Sequence, residues 1–343
     1  MTNSRSKMRS EILEIPHVAE QLLQHGSGAV RSAAAALRDS DPAFMISVAR
    51  GSSDHVATYF KYASELLLGL PVASVGPSVA SVYKRPLRLT RSACVAVSQS
   101  GQSPDIVEMV RVAQSSGALT VAITNNANSR LSSVTDHTLA LHAGTELSVA
   151  ATKTFVTSAI CAIWLVAEWA GDEDLLSALR RMPEALDKAI ALDWGEVSTV
   201  LDPHHSLYCL GRGPSYAISN EAALKFKEVC QMHAESYSSA EVLHGPVSIV
   251  GDAFPVVAFT GQDAAEPVLT QVADTIAQKG AAVFVTSDRA RQAHVLPAVR
   301  TGHPLTDPIT LIASFYAMVE ALAVARGLDP DAPRHLQKVT ETV

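Results

Sequence analysis

A five-residue, mostly apolar run that opens into Arg-Gly-x-Ser occurs twice in this chain, 162 residues apart from Arg50 to Arg212. Residues 44–48 (FMISV) lead into Arg50, Gly51, Ser52 and Ser53, and residues 206–210 (SLYCL) lead into Arg212, Gly213, Pro214 and Ser215. Short apolar runs bounded by turn residues read as strands buried on both faces. After the first run the pattern predicts a helix over about 55–68 and a strand over 72–75. A helical or turn segment to Pro86, a strand over 93–97, a helix ending at Ser116 and a strand over 119–124 complete the set. After the second run an opening helix, a strand over 254–258, a helix over 266–279 and a strand over 282–286 repeat that order. Strands alternating with helices predict an α/β chain of two tandem units, each a parallel sheet flanked by helices on both faces. Outside the repeats, 7–25 reads as a helix interrupted by Pro16, 33–37 as a short helix, about 155–192 as a helical linker and 306–326 as a long apolar helix.

Composition bears on what such a chain can bind. Its 343 residues are 48% hydrophobic and 18% charged, a globular balance, and the net charge of −7 offers no basic footprint for nucleic acid or an anionic membrane. The four cysteines, Cys94, Cys161, Cys209 and Cys230, have no CxxC spacing and are expected to be buried free thiols, which suits a reducing cytoplasm. The basic start is not followed by a signal core, and the most apolar stretch, 160–167, is too short to span a bilayer. No HExxH or paired Cys/His set is present, so no metal site is expected, and neither GxGxxG nor GxxxxGK[ST] occurs.

The chemistry concentrates in two places. After the strand over 93–97 comes Ser98-Gln99-Ser100-Gly101-Gln102-Ser103-Pro104-Asp105. Three hydroxyls, a glycine and the amides of a helix start suit a phosphate at the carboxyl end of a parallel strand. One serine alone would be an ordinary helix cap. The corresponding turn of the second copy, from Phe259 to Asp263, has no serine cluster. That copy instead carries Glu221, Lys225 and Glu228, spaced i, i+4 and i+3 so that they share one helix face. His244, held before Gly245-Pro246, follows sixteen residues after Glu228. A carboxylate, an ammonium and an imidazole supply the means for proton transfer on a carbonyl compound. The segment from Ala143 to Thr154 is polar among small residues and reads equally as a helix cap or a ligand contact, while Lys338 in the tail reads on its own as a solvated charge.

Taken in order, Ser98-Gln-Ser-Gly, Ala143-Gly-Thr-Glu with Ala151-Thr-Lys, Glu221-x-Ala-Leu-Lys-x-Lys-Glu, Glu241-x-x-His-Gly-Pro and Pro333-Arg-x-Leu-x-Lys resemble the tandem sugar-isomerase (SIS) proteins. The likeness is to the isomerase half of glucosamine-6-phosphate synthase and to the SIS-type glucosamine-6-phosphate deaminases. It divides the chain into an N-terminal helical segment (1–30), a phosphate-binding SIS domain (31–170), a helical linker (171–195), a second SIS domain with the acid–base groups (196–328) and a tail (329–343) carrying Lys338. The resemblance implies that Ser98, Gln99, Ser100 and Ser103 bind the sugar phosphate and that Ser53 lines the sugar. It implies that Glu228 moves a proton between carbons 1 and 2 and that His244 assists ring opening from the neighbouring subunit of a homodimer. Lys225 matches a lysine near the sugar hydroxyls, and Lys338 one that meets the carbonyl carbon. Ala151 stands where the synthase has a serine, which puts that sugar contact in doubt, and Thr2 follows Met1 where a glutaminase domain would need a cysteine. With no glutaminase domain expected, deamination of glucosamine 6-phosphate to fructose 6-phosphate and ammonia is the first expectation, without a cofactor. An enzyme for another amino or ketose phosphate, such as galactosamine 6-phosphate, and a non-catalytic sugar-phosphate sensor are the alternatives.

Overall fold

A computed structural model describes residues 5–201 and 206–338. The chain begins with α1 (Lys7–His25) and α2 (Ser27–Ser40), followed by β1 (Phe44–Val48), α3 (Ser52–Leu67), β2 (Val72–Ser74), α4 (Ser78–Ser81) and β3 (Ser92–Val97). Next come α5 (Pro104–Ser115), β4 (Leu119–Thr124), β5 (His137–Ala140) and α6 (Lys153–Ala170). Three short helices, α7 (Glu173–Arg180), α8 (Met182–Ile190) and α9 (Gly195–Val200), precede β6 (Leu207–Gly211), α10 (Pro214–Cys230) and β7 (Ala234–Ser238). The last elements are β8 (Pro255–Ala258), α11 (Glu266–Ala277), β9 (Ala282–Val285), β10 (His294–Val295) and α12 (Asp307–Ala325).

The strands form two five-stranded sheets, β2-β1-β3-β4-β5 and β7-β6-β8-β9-β10, all pairs parallel. The two orders are the same order with each strand number raised by five, so the duplicated motif is a duplicated sheet. The described chain divides into two compact units. One holds His17–Glu146, Lys153–Arg180 and the tail from Gln337; the other holds the residues up to Pro16, Leu147–Thr152 and Arg181–Leu336.

Within the first unit, the period-2 alternation of a strand assigns side chains to faces. Ile46, Val48, Cys94 and Ala96 pack with Ile106, Met109 and Val110 of α5. The second sheet repeats this with Tyr208, Leu210, Val256 and Ala258 against Leu269, Ala273 and Ile276 of α11. Its other face carries α10, backed by α12 through Phe226 and Phe315, whose ring centroids are 5.1 Å apart. Helices apolar on all sides belong in a core. Among the described residues two such helices, α6 and α12, are long and apolar enough to cross a membrane, yet 89% and 83% of their apolar windows are buried inside the fold.

Four details differ from the sequence expectation. The backbone of α1 continues through Pro16, because Ile12, Ile15, Ala19 and Leu22 are all buried along it. The second helix runs from Ser27 rather than Ala33, with Val30 as an added buried residue. The 160–167 run, expected to be too short to span a bilayer, lies within α6, an 18-residue helix long and apolar enough to do so. Lastly, the edge strands β5, β7 and β10 have no apolar run to mark them.

Candidate active site

The turn after β3 is built around its own hydroxyls. Ser98 Oγ accepts the Gly101 N–H at 3.1 Å, and Ser100 Oγ accepts the Gln102 N–H at 3.3 Å. Gly101 has φ +62°, and a Cβ there would lie 2.2 Å from Ser129 Oγ, so the tight turn requires glycine. Ser103 stands at the N-cap of α5 but its side chain makes no capping bond, and Pro104 occupies the first turn. Pro104 has no N–H, and the Ile106 and Val107 N–H groups are taken by Asp105 Oδ1 at 2.9 Å and the Ser103 carbonyl at 3.1 Å, so hydroxyls are what the turn offers an anion. Asp105, fully buried, binds the Arg50 guanidinium through Nε at 3.0 Å and Nη2 at 2.8 Å. That ion pair ties the Arg-Gly-Ser-Ser turn before α3, with Ser53 in the first helical turn, to the start of α5.

Beside this turn, at the carboxyl ends of β4 and β5, lies a cavity of about 530 Å³, within the range of small-molecule sites. Gln99, Ser100, Asn125, His142, Glu146 and Lys338 are among its lining residues. Lys338 Nζ is 2.7 Å from Glu146 Oε2, so the tail lysine is held in the cavity rather than solvated. Glu146 is 4% exposed and also accepts the Thr154 N–H at 3.1 Å and hydroxyl at 2.7 Å, capping α6. The 143–154 segment thus acts as a cap and lines the cavity at once. Asn125 fixes the loop by accepting the Ala143 N–H and donating to the Gly144 carbonyl. His142 sits at φ 53° with its ring 5.6 Å from that of His25; burial, then His25, lowers its pKa. Ser98, Ser103 and Ser53 do not line this cavity, and neither does Ala151, which lies in the loop before α6.

In the second unit, α10 carries the charged cluster. Lys225 Nζ lies 3.1 Å from Glu221 Oε1 and 2.6 Å from Glu228 Oε2. The side chains of Lys225 and Glu221 are 0% exposed, whereas that of Glu228 is 19% exposed. Burial alone would lower the Lys225 pKa, but the charges of Glu221 and Glu228 outweigh it and hold the ammonium above its ordinary value. Tyr316 of α12 donates to Glu221 Oε1 at 3.0 Å. His244 ends a short 3₁₀ turn, Glu241–His244, before Gly245 at φ 141°, with exposed Leu243 and Ile249 near it.

The turn after β8, which corresponds to the serine turn, is filled by the protein itself. Asp307 Oδ2 accepts the Gln262 N–H at 3.0 Å, and Arg300 Nη1 donates to the Thr260 carbonyl at 2.9 Å. A carboxylate already occupies an amide that an anion would use. Asn125, Asp307 and Tyr316 were not identifiable from sequence spacing, and Arg50 and Glu146 stood in visible motifs without their partners, because each acts through a residue distant in the chain. The one local signal was the polarity of the 143–154 segment.

The SIS domain pattern matches residues 36–168 and 201–326. The chain is similar to the glutamine–fructose-6-phosphate aminotransferase (isomerizing) of Symbiobacterium thermophilum, 33% identical over 310 residues, 85% of this chain and 50% of that protein. It therefore spans about half the length of that relative. A crystal structure from Silicibacter pomeroyi DSS-3, of a protein provisionally described as a phosphosugar isomerase, is 60% identical. It superposes with a TM-score of 0.92 over 95% of this chain and 100% of that one. The glucosamine-6-phosphate deaminase of Thermotoga maritima shares the fold, with a TM-score of 0.78 and 20% identity over 98% of this chain and 100% of its own. With two matched copies that cover most of its length, the chain belongs to the SIS domain family.

Proposed function

We propose that the chain is a glucosamine-6-phosphate deaminase, a sugar-phosphate aldose–ketose isomerase that releases ammonia and works in the cytoplasm as a homodimer. The observation that carries this reading is the cavity that sets the Lys338 amine beside Gln99 and Ser100 of the serine turn. A turn rich in hydroxyls at the positive end of a helix suits the substrate phosphate, with Ser98, Gln99, Ser100 and Ser103 as its donors. Lys338 then stands at the carbonyl end of the opened sugar. His244, from the neighbouring subunit, opens the ring. Glu228 takes the proton from carbon 2, whose electrons form the carbon 1–carbon 2 double bond as oxygen 1 is protonated. It returns the proton to carbon 1, leaving a ketimine at carbon 2. Water adds to that carbon, ammonia leaves, and fructose 6-phosphate remains. The amine and carbonyl generate the acidity themselves, so the scheme uses no cofactor.

Burial pushes Cys94, Cys161 and Cys230 up to about 12 and Cys209 higher still, so the four thiols stay protonated near neutral pH. The reverse, ammonia-consuming direction is the second reading, favoured by the name of the Symbiobacterium relative. The test is ammonia release from purified protein given glucosamine 6-phosphate, run beside galactosamine 6-phosphate, unphosphorylated glucosamine, and fructose 6-phosphate with ammonium. Release from glucosamine 6-phosphate alone is expected. Turnover of the unphosphorylated sugar at a similar rate, or no reaction with any of them, overturns the reading.

A further inference from the structure

We infer that Tyr316 is a positioning residue that sets the proton affinity of Glu228 through Glu221 and Lys225. The inference rests on the reading of Glu228 as the proton carrier. Tyr316 Oη and Lys225 Nζ both bind the same oxygen, Glu221 Oε1, at 3.0 and 3.1 Å. On its other side the Lys225 ammonium meets Glu228 Oε2 at the shorter distance of 2.6 Å. Four groups thus form one line: phenol, carboxylate, ammonium, carboxylate. The first three are buried, and Glu228 alone reaches solvent.

Two hydrogen-bond donors on one carboxylate oxygen share its charge. The phenol satisfies part of Glu221, weakens its hold on Lys225, and leaves more of the ammonium to Glu228. Tyr316 therefore makes Glu228 a weaker base than an isolated Glu221–Lys225–Glu228 set would. Most other ionisable groups on the elements packed against α10 have partners of their own, Asp307 of α12 with the Gln262 and Thr301 backbone amides among them, while the buried Cys209 thiol of β6 feels the charge of Lys227 on α10. On α12, Glu320 binds Arg9 and Ser6; on β7, Glu235 accepts from Tyr237; on β6, Tyr208 donates to the Pro246 carbonyl. None of these contacts involves Glu228, so the line through Tyr316 offers a specific control on it.

The experiment follows the acid limb of the pH profile of kcat/KM, where the base must lose its proton. Tyr316→Phe removes only the hydroxyl; Glu221 then pulls harder on Lys225 and the limb moves up by about half a unit to one unit. Glu221→Gln leaves the ammonium to Glu228, so the limb moves down. Replacing Tyr316 with 3-fluorotyrosine, a stronger donor of the same shape, also moves the limb down, and this variant decides the matter should the phenylalanine protein fail to fold. Variants that lose activity equally at every pH, with the limb unmoved, overturn the inference. Glu228→Gln separates the two levels: if it still releases ammonia, the functional reading fails. If it is inactive while the Tyr316 variants leave the limb in place, only the role of Tyr316 fails.

Discussion

Lys225 stands at the centre of the second unit's charged cluster, and its environment fixes what its loss would do. A wholly buried ammonium between two carboxylates is sustained by their charges. Lys225→Met would leave Glu221 buried and uncompensated, and the expected loss is ~3–5 kcal/mol by urea unfolding at pH 7. Because the folded pKa is raised, this contribution is fully present below the unfolded value of about 10.4 and fades only as pH rises through the folded one. The deficit should therefore be nearly constant from pH 6 to 9, and a deficit that vanishes within that window would contradict the assigned charge state. Glu228→Gln retains the shape and removes the base. Turnover should fall by ~10²–10⁴-fold with KM little changed, and the variant should not exchange the carbon-bound proton with deuterated solvent. The helix spacing made the Glu221–Lys225–Glu228 cluster legible in advance. It could not reveal Tyr316 or the Glu146–Lys338 pair, whose members are 95 and 192 residues apart, because contacts of that range depend on the fold.

At the scale of elements, the central strands and their helices were legible because apolar runs fill them. Three of the four edge strands were not, since β5 (HTLA), β7 (AESYS) and β10 (HV) are short and partly polar. Two of the three are held by aspartates. Asp136, just before β5, accepts the Thr120 N–H at 2.8 Å, the Thr120 hydroxyl at 2.7 Å and the Gln114 amide at 3.0 Å. Asp274 of α11 accepts the N–H groups of Arg291, Gln292 and Ala293 ahead of β10. Burial would raise both carboxyls, but these donors outweigh it and hold each below its ordinary value. A depressed carboxyl contributes stability that is present above the unfolded pKa of about 4 and lost as pH falls through the folded one. Asp274→Ala should thus cost ~1–2 kcal/mol at pH 7, and the gap from the parent protein should close near pH 2. A gap of equal size at both pH values would mean that the carboxylate charge is not what ties the strand. In the first unit, Gly101→Ala should drive a Cβ into Ser129 and distort the serine turn. We expect KM for the phosphorylated substrate to rise about tenfold or more, as for the loss of ~1.4 kcal/mol of binding. An unchanged KM would remove the turn from the phosphate site.

Across the whole molecule, one sheet topology is used twice with different side chains at its carboxyl ends. The turn after β3 opens to a cavity through Gln99 and Ser100, whereas Asp307 and Arg300 fill the turn after β8, and α10 beside it carries the proposed proton-transfer groups. In the proposed homodimer His244 is the group supplied from the other subunit, and exposed Leu243 and Ile249 in its segment offer apolar surface for that contact. This yields a mixing experiment. Glu228→Gln and His244→Ala homodimers should each be nearly inactive. After subunit exchange, half of the protein at equilibrium is heterodimer, in which one of the two sites contains both intact residues. About a quarter of the parent activity should then return, as expected from random pairing of equal pools. Exchange is verified independently with subunits labelled by two fluorophores. Full exchange without recovery would show that each chain uses its own His244, and the proposed sharing would have to be abandoned even if the protein is a dimer.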